Sequence, residues 1–314
     1  MESNAREIPE FSVAWVGAGI MGRSMCGHLL AAEYPVTVHT RTRSKAGNLL
    51  DRGARWAGSP REAAAAADVT FAMAGFPHEV REVFLGTNGI LAGARPGSVI
   101  VDMATSPPSL AAEIAAAAKA RGVTFLDAPV TGGDVGAREA KLSIMAGGDE
   151  AAFRRVLPLF QKMGKTVMFH GPAGAGQHAK LVNQTFIAGT MIGLAEGLLY
   201  AYKAGLNMNR VMESVASGAA GSWSLSNYAP RVLAGNFEPG FLVEHLIKDL
   251  GLVLEECRRM NITLPGVELA HSLYQELARQ GHARKGTQSL ILALTNLSKV
   301  EWPGSEGKRN TASG

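Results

Sequence analysis

A doubly wound α/β domain followed by an all-helical domain is the architecture this sequence predicts, and three observations predict it. An apolar run from Val13 to Val16 breaks into Gly17-Ala18-Gly19-Ile20-Met21-Gly22 before a helical pattern begins, which reads as buried parallel strand, tight turn and helix start. Strand and helix patterns then alternate to about residue 171, as in a parallel sheet covered by helices. Beyond residue 173 strand patterns stop and only helical ones continue. At 314 residues the chain is long for one hydrophobic core. Residues 9–172 are therefore expected to form a Rossmann-type domain, 173–298 an all-helical domain and 299–314 a polar tail.

In the first unit, Gly17 permits the turn, Gly19 lets a backbone approach a pyrophosphate, and Gly22 lets the helix pack on the strand. Phosphates would sit on the N–H groups at the helix start, around Ile20 and Met21. A helix to about residue 32 and a strand at 35–39 complete a βαβ unit. An acid at the end of that second strand would hold the ribose 2′-hydroxyl of NAD. Here the end reads His39-Thr40-Arg41-Thr42-Arg43, with no acid and two arginines. A guanidinium matches a 2′-phosphate in charge and shape, so NADP is the expected cofactor, with NAD possible.

Ser59, Pro60 and Glu62 supply a cap, a first-turn proline and a capping-box partner for a helix through 67. A strand at 69–74 ends in Met73 and Ala74, and a strand at 98–102 leads to Thr105. Both lie at carboxyl ends, where open sheets place ligands, and are expected to line the nicotinamide half of the site. Helices at 77–85 and 108–119 and a strand at 123–126 continue the alternation. Thr131, Gly132 and Gly133 then offer a hydroxyl and turned N–H groups that suit a carboxylate. Strands at 142–146 and 166–169, with a helix between them, finish the domain.

Residues 173–204 read as one helix, roughly 45 Å long if continuous. It is expected to be buried under later helices or against another subunit, and the longest apolar region, around Phe186 to Tyr200, to fall short of a membrane span because Glu196 and several glycines interrupt it. Helices follow around 208–217, 224–233, 242–260, 265–280 and 287–297.

Reduction of a carbonyl by hydride needs a proton donor for its oxygen. Lys180, Asn183 and Gln184 share one face of the long helix and are the candidates. The net charge of +4 is modest and its basic residues are scattered, so nucleic acid is not an expected partner. Cys26 and Cys257 stand alone, without metal-ligand spacing, which fits reduced thiols in a cytoplasmic protein with no metal site. The first ten residues contain no apolar signal segment.

Five motifs in order, GAGIMG, TRT, DAPVTGGDVGA, GAGQHAKLVNQ and IKDL, resemble those of the β-hydroxyacid dehydrogenases over about residues 11–297. That family includes 3-hydroxyisobutyrate dehydrogenase and the tartronate and succinic semialdehyde reductases. The resemblance implies that Lys180 is the catalytic acid/base and Asn183 its partner, and that Thr131, Gly132 and Gly133 bind the substrate carboxylate. It also implies that Lys248 of IKDL lies over the cofactor, that Trp223 and Phe241 wall the pocket, and that the protein is a homodimer or homotetramer. Thr131 stands where the family usually has serine, and Thr40 where it commonly has asparagine. The expected activity is hydride transfer between NADP and a small 3-hydroxy acid or its semialdehyde. Imine reduction on the same scaffold and a non-catalytic cofactor-binding module are the alternatives, and the retained Lys180 argues against both.

Overall fold

The structure, a computed structural model, describes residues 11–303. The expectations for the first ten residues, and for the tail from 304 onward, lie outside the described residues. The described residues form two compact units, divided between Lys180 and Leu181.

The first unit is built on nine strands: β1 (Val13–Val16), β2 (Val36–His39), β3 (Arg55–Trp56), β4 (Val69–Ala72), β5 (Val99–Asp102), β6 (Thr124–Asp127), β7 (Val130–Thr131), β8 (Leu142–Gly148) and β9 (Gly164–Phe169). Their order is β3-β2-β1-β4-β5-β6-β8-β7, with β9 paired to β8. The pairs from β3 to β6 are parallel, while β8 joins β6 and β7 antiparallel. Every residue of β1, β4 and β5 is buried, which is why these segments are apolar runs rather than alternating ones. The two-residue period still sorts them: Val13, Trp15, Phe71 and Val101 enter one core, and Ala14, Val16, Ala72 and Ile100 the other. One layer of packing thus covers each face of the sheet.

The helices Pro77–Leu85 and Pro108–Lys119 match their predicted spans. Ser59 caps Pro60–Ala65 by accepting from the Glu62 N–H at 3.1 Å, and the Glu62 carboxylate accepts from Gly58 N–H rather than closing the box on Ser59. The first helix, Ile20–Ala31, begins inside the glycine run, so Gly22 lies in its first turn instead of before it. Short elements escaped the reading: Arg43–Ala46, Gly47–Asp51, β3 and Ile90–Gly93. Each is too brief to carry a hydrophobic period. Between β6 and β8 the chain forms β7 and the helix Gly133–Arg138.

In the second unit the helices Met208–Ala216, Trp223–Leu233, Val243–Met260, Pro265–Leu277 and Leu290–Leu297 follow the long helix Ala175–Lys203. Leu181, Met191, Leu194 and Leu198 of the long helix meet Leu246, Leu250, Tyr274 and Leu290 in one core. The buried Tyr274 hydroxyl donates to Thr287 O at 2.9 Å. Trp302 is buried, with its ring edge-on to Tyr202, so the tail predicted from 299 is packed at least that far.

The apolar stretch extends beyond the 186–200 region singled out in the sequence: Ala175–Lys203 is long and apolar enough, by length and composition alone, to cross a bilayer. Within the chain, one side of this helix is uncovered. Phe186 is 72% exposed and Tyr200 76%, and Gly189, Gly193 and Gly197 lie exposed between them on one side of the helix.

Candidate active site

The predicted site residues divide between the two units: Lys180 and those before it fall in the first, Asn183, Trp223, Phe241 and Lys248 in the second. In the first unit the strand order reverses between β1 and β4, the switch point at which open α/β sheets bind ligands. The glycine turn leaves β1 at that point. Gly17 has φ +99°, donates to His39 O at 2.8 Å and lies so close to the end of β4 that a Cβ would sit 2.3 Å from Met73 O. A Cβ on Gly22 would sit 2.0 Å from Gly17 O, so only this spacing of glycines lets strand, turn and helix meet. Gly19 is the N-cap of Ile20–Ala31, is exposed, and has no heavy atom within 4 Å of where a Cβ would be. That open backbone at a helix N-terminus, beside Ile20 and Met21, fits the pyrophosphate of a dinucleotide. Met73 and Ala74, past the end of β4, and Thr105, past the end of β5, are half-buried on the carboxyl side of the same sheet.

At the end of β2, Thr40 is buried while Arg41 and Thr42 are exposed. Arg41 reaches the Glu79 carboxylate at 2.7 Å with its own side chain 85% exposed. The other Glu79 oxygen accepts from the N–H groups of Gly75 and Phe76. Burial pushes the Glu79 carboxyl up, but the Gly75 N–H and Arg41 outweigh it and hold the group below its usual range. Arg43 lies over the Trp56 ring.

Thr131 ends β7, and Gly132 and Gly133, with φ +124° and +63°, turn the chain into the helix Gly133–Arg138. All three are half-buried.

Lys180 is only 7% exposed and stands one turn after Gln177 on the long helix. A buried polar network fixes the start of that helix. Asp127, the last residue of β6, accepts from the N–H groups of Gly174 and Gln177, each at 2.8 Å, one on each oxygen. Gly176 allows this approach, because a Cβ there would sit 2.3 Å from Met145 O and 2.9 Å from the Asp127 carboxylate. The Gln177 side chain donates to Ala104 O at 2.8 Å and accepts from Ser106 N–H at 3.0 Å. The Ser106 hydroxyl in turn donates to Asp102, the last residue of β5, at 2.7 Å. Burial raises the Asp127 carboxyl above its ordinary pKa, with the Gly174 and Gln177 N–H groups countering part of the effect. Sequence reasoning missed Asp102, Ser106, Asp127 and Gln177. Its available signal was an acid closing an otherwise apolar parallel strand, in VIVD and TFLD.

In the second unit Asn183 donates to Gln184 Oε1 and Gln184 donates to Asp249 Oδ2, both at 2.6 Å. The Lys248 ammonium lies 2.9 Å from Asp249 Oδ1. The structure therefore brings Asn183 and Lys248 together through Gln184 and Asp249. Phe241 is half-buried with its ring near that of His245. Burial, then the Lys248 charge, lowers the His245 pKa. Trp223 is not part of this chain; it is 55% exposed, edge-on to Tyr228. Among the described residues no group of three or more His, Cys, Asp or Glu side chains could hold a metal ion.

A glycine turn at the switch point of a parallel sheet, with a desolvated lysine further along the same unit, defines a dinucleotide-binding oxidoreductase. Comparison with known proteins narrows the class. Residues 12–171 match the NAD binding domain of 6-phosphogluconate dehydrogenase, and residues 174–294 match the NAD-binding domain of NADP-dependent 3-hydroxyisobutyrate dehydrogenase. An Arabidopsis thaliana protein described as a probable mitochondrial 3-hydroxyisobutyrate dehydrogenase-like 1 is 53% identical over 289 residues, which is 92% of this chain and 86% of the relative. The 2-hydroxy-3-oxopropionate reductase of Escherichia coli is 36% identical over 90% of this chain and 96% of its own. A Mycobacterium tuberculosis 3-hydroxyisobutyrate dehydrogenase solved with L-serine shares 31% identity at a TM-score of 0.82, over 90% of this chain and 99% of that one. An imine reductase from a Pseudomonas species, 20% identical at a TM-score of 0.58, shares the fold alone. The chain belongs to the NAD(P)-dependent hydroxyacid dehydrogenases, the 3-hydroxyisobutyrate dehydrogenase family, and is an oxidoreductase.

Proposed function

We propose that this enzyme transfers a hydride between NADP and a small 3-hydroxy acid or the matching semialdehyde, with Lys180 holding the proton exchanged with the substrate oxygen. The observation that carries the reading is the burial of Lys180 on a helix whose start is clamped by Asp127 and Gln177. A desolvated ammonium at a fixed position is a directed proton donor, and positioned acid–base groups contribute roughly 10²–10⁴-fold to rate. When bound, the nicotinamide supplies or accepts the hydride. Thr131, Gly132 and Gly133 hold the substrate carboxylate, Asn183 orients the reacting oxygen, and Phe241 and Trp223 bound the pocket. Lys248 supports the cofactor.

Preference for NADP rests on Arg41, exposed at the end of β2 where no acid stands to hold a 2′-hydroxyl. The enzyme works in the cytoplasm, in keeping with the buried free thiols of Cys26 and Cys257. It assembles as a homodimer or homotetramer, a second copy covering the exposed Phe186-to-Tyr200 side of the long helix.

The test is turnover of NADPH and NADH against a panel of small carboxylated semialdehydes and a cyclic imine. Turnover of a semialdehyde with NADPH favoured supports the reading. Turnover of the imine alone replaces it with imine reduction, and no turnover leaves a cofactor-binding module.

A further inference from the structure

Asp249 is 1% exposed and Gln184 is fully buried, so their mutual arrangement is not open to water. Asp249 meets the Lys248 ammonium with one oxygen and the Gln184 side-chain amide with the other. A carboxylate paired with an ammonium only accepts hydrogen bonds. Gln184 must therefore turn its NH₂ toward Asp249 and its carbonyl toward Asn183, whose Nδ2 donates to that carbonyl at 2.6 Å. The two ends of an amide have nearly the same shape, so only its partners choose which way it faces. Here the choice propagates from Asp249 through Gln184, and the Asn183 carbonyl oxygen is left on the side away from Gln184.

We propose that Asp249 is a positioning residue that, through Gln184, sets the polarity of the Asn183 amide. Asn183 then presents its Oδ1 as an acceptor toward the proton-bearing group of the reaction, the hydroxyl of the substrate's alcohol form. This rests on the reading that Lys180 and Asn183 serve the hydride chemistry. It adds a cause: a buried acid, without touching substrate, keeps Asn183 from facing the site amide-first.

Three variants test it, each checked for folding by thermal unfolding and for NADPH binding by fluorescence titration. Gln184→Met breaks the relay and leaves the Lys248–Asp249 pair. Asp249→Asn lets the Gln184 amide take either orientation. In Gln184→Glu/Asp249→Asn the carboxylate moves to position 184 and the amide to 249, so Asn183 must again donate to its neighbour and its original polarity returns. The first two should lower kcat by about 10-fold to 10²-fold with NADPH affinity within about twofold of wild type, since misplaced groups cost rate rather than binding. The double variant should recover most of that loss, which packing alone would not do. Wild-type kcat in Gln184→Met, or a folded double variant no better than Asp249→Asn, would overturn the relay. If Asp249→Asn does not fold, Gln184→Met and the double variant decide by the same measures. Lys180→Ala in the same assay separates the two claims: impaired Lys180→Ala with fully active relay variants defeats only the relay, whereas active Lys180→Ala defeats the reading beneath it.

Discussion

Asp127 and Asp249 are both buried carboxylates beside residues of the long helix, yet one is met by backbone and the other by side chains. Asp127 accepts from Gly174 and Gln177 N–H groups and fixes where the helix begins. Asp249 accepts from Gln184 and faces Lys248, and so fixes how side chains are turned. Glu79 is the intermediate case, with backbone donors on one oxygen and Arg41 on the other. Backbone donors make a carboxylate a structural clamp, whereas side-chain donors make it an orienting device. Substitutions should respect that division.

The largest effect on stability is expected at the clamp. Asp127→Ala leaves several N–H groups at a buried helix start without an acceptor and should cost roughly 3 kcal/mol or more in urea unfolding. A comparable loss from Asp249→Ala, with kcat untouched, would erase the contrast.

A pH series sharpens it. The folded Asp127 pKa lies above its ordinary value of 3.8 because of burial. Between the unfolded and folded values the native state binds the extra proton, so this group's contribution to stability is fully present below the unfolded pKa and is lost as pH rises through the folded one. Relative to Asp127→Asn, the wild type should therefore be most stable at about pH 4 or below and lose ground as pH rises. An unfolding difference independent of pH would mean that Asp127 is not desolvated.

Ser106→Ala removes one link between Asp102 and Gln177 and should cost about 1 kcal/mol, read by the same unfolding assay. A near-zero cost would show that the Ala104 carbonyl and the Ser106 N–H hold the Gln177 side chain without the hydroxyl. The smallest effect belongs to the exposed pair. Glu79→Gln keeps an acceptor for Gly75 and Phe76 but frees Arg41 for a 2′-phosphate, so KM for NADPH should fall by up to about fivefold while KM for NADH stays unchanged.

How much of this was legible beforehand follows the same division. Backbone-built features were readable: the glycine turn, the strand ends at 69–74 and 98–102 as the ligand side, and the helices with proline starts at 77 and 108 left local signals in spacing and residue type. Lys180, Asn183 and Gln184 were placed on one face by helical period alone. Asp127, Gln177 and Asp249 were not, because their partners lie tens of residues away in the chain and a lone buried acid has no period. The Arg41–Glu79 pair joins two elements 38 positions apart and was hidden for the same reason. Trp302 was read as tail because its partner, Tyr202, sits 100 residues earlier.

The most direct measurement is kcat of Lys180→Ala with NADPH and a semialdehyde that the wild type reduces, beside the NADPH dissociation constant of the same variant. Loss of about 10²-fold to 10⁴-fold in kcat, with NADPH affinity retained, is the predicted result. Turnover near the wild-type rate would contradict the assignment of the proton to this lysine.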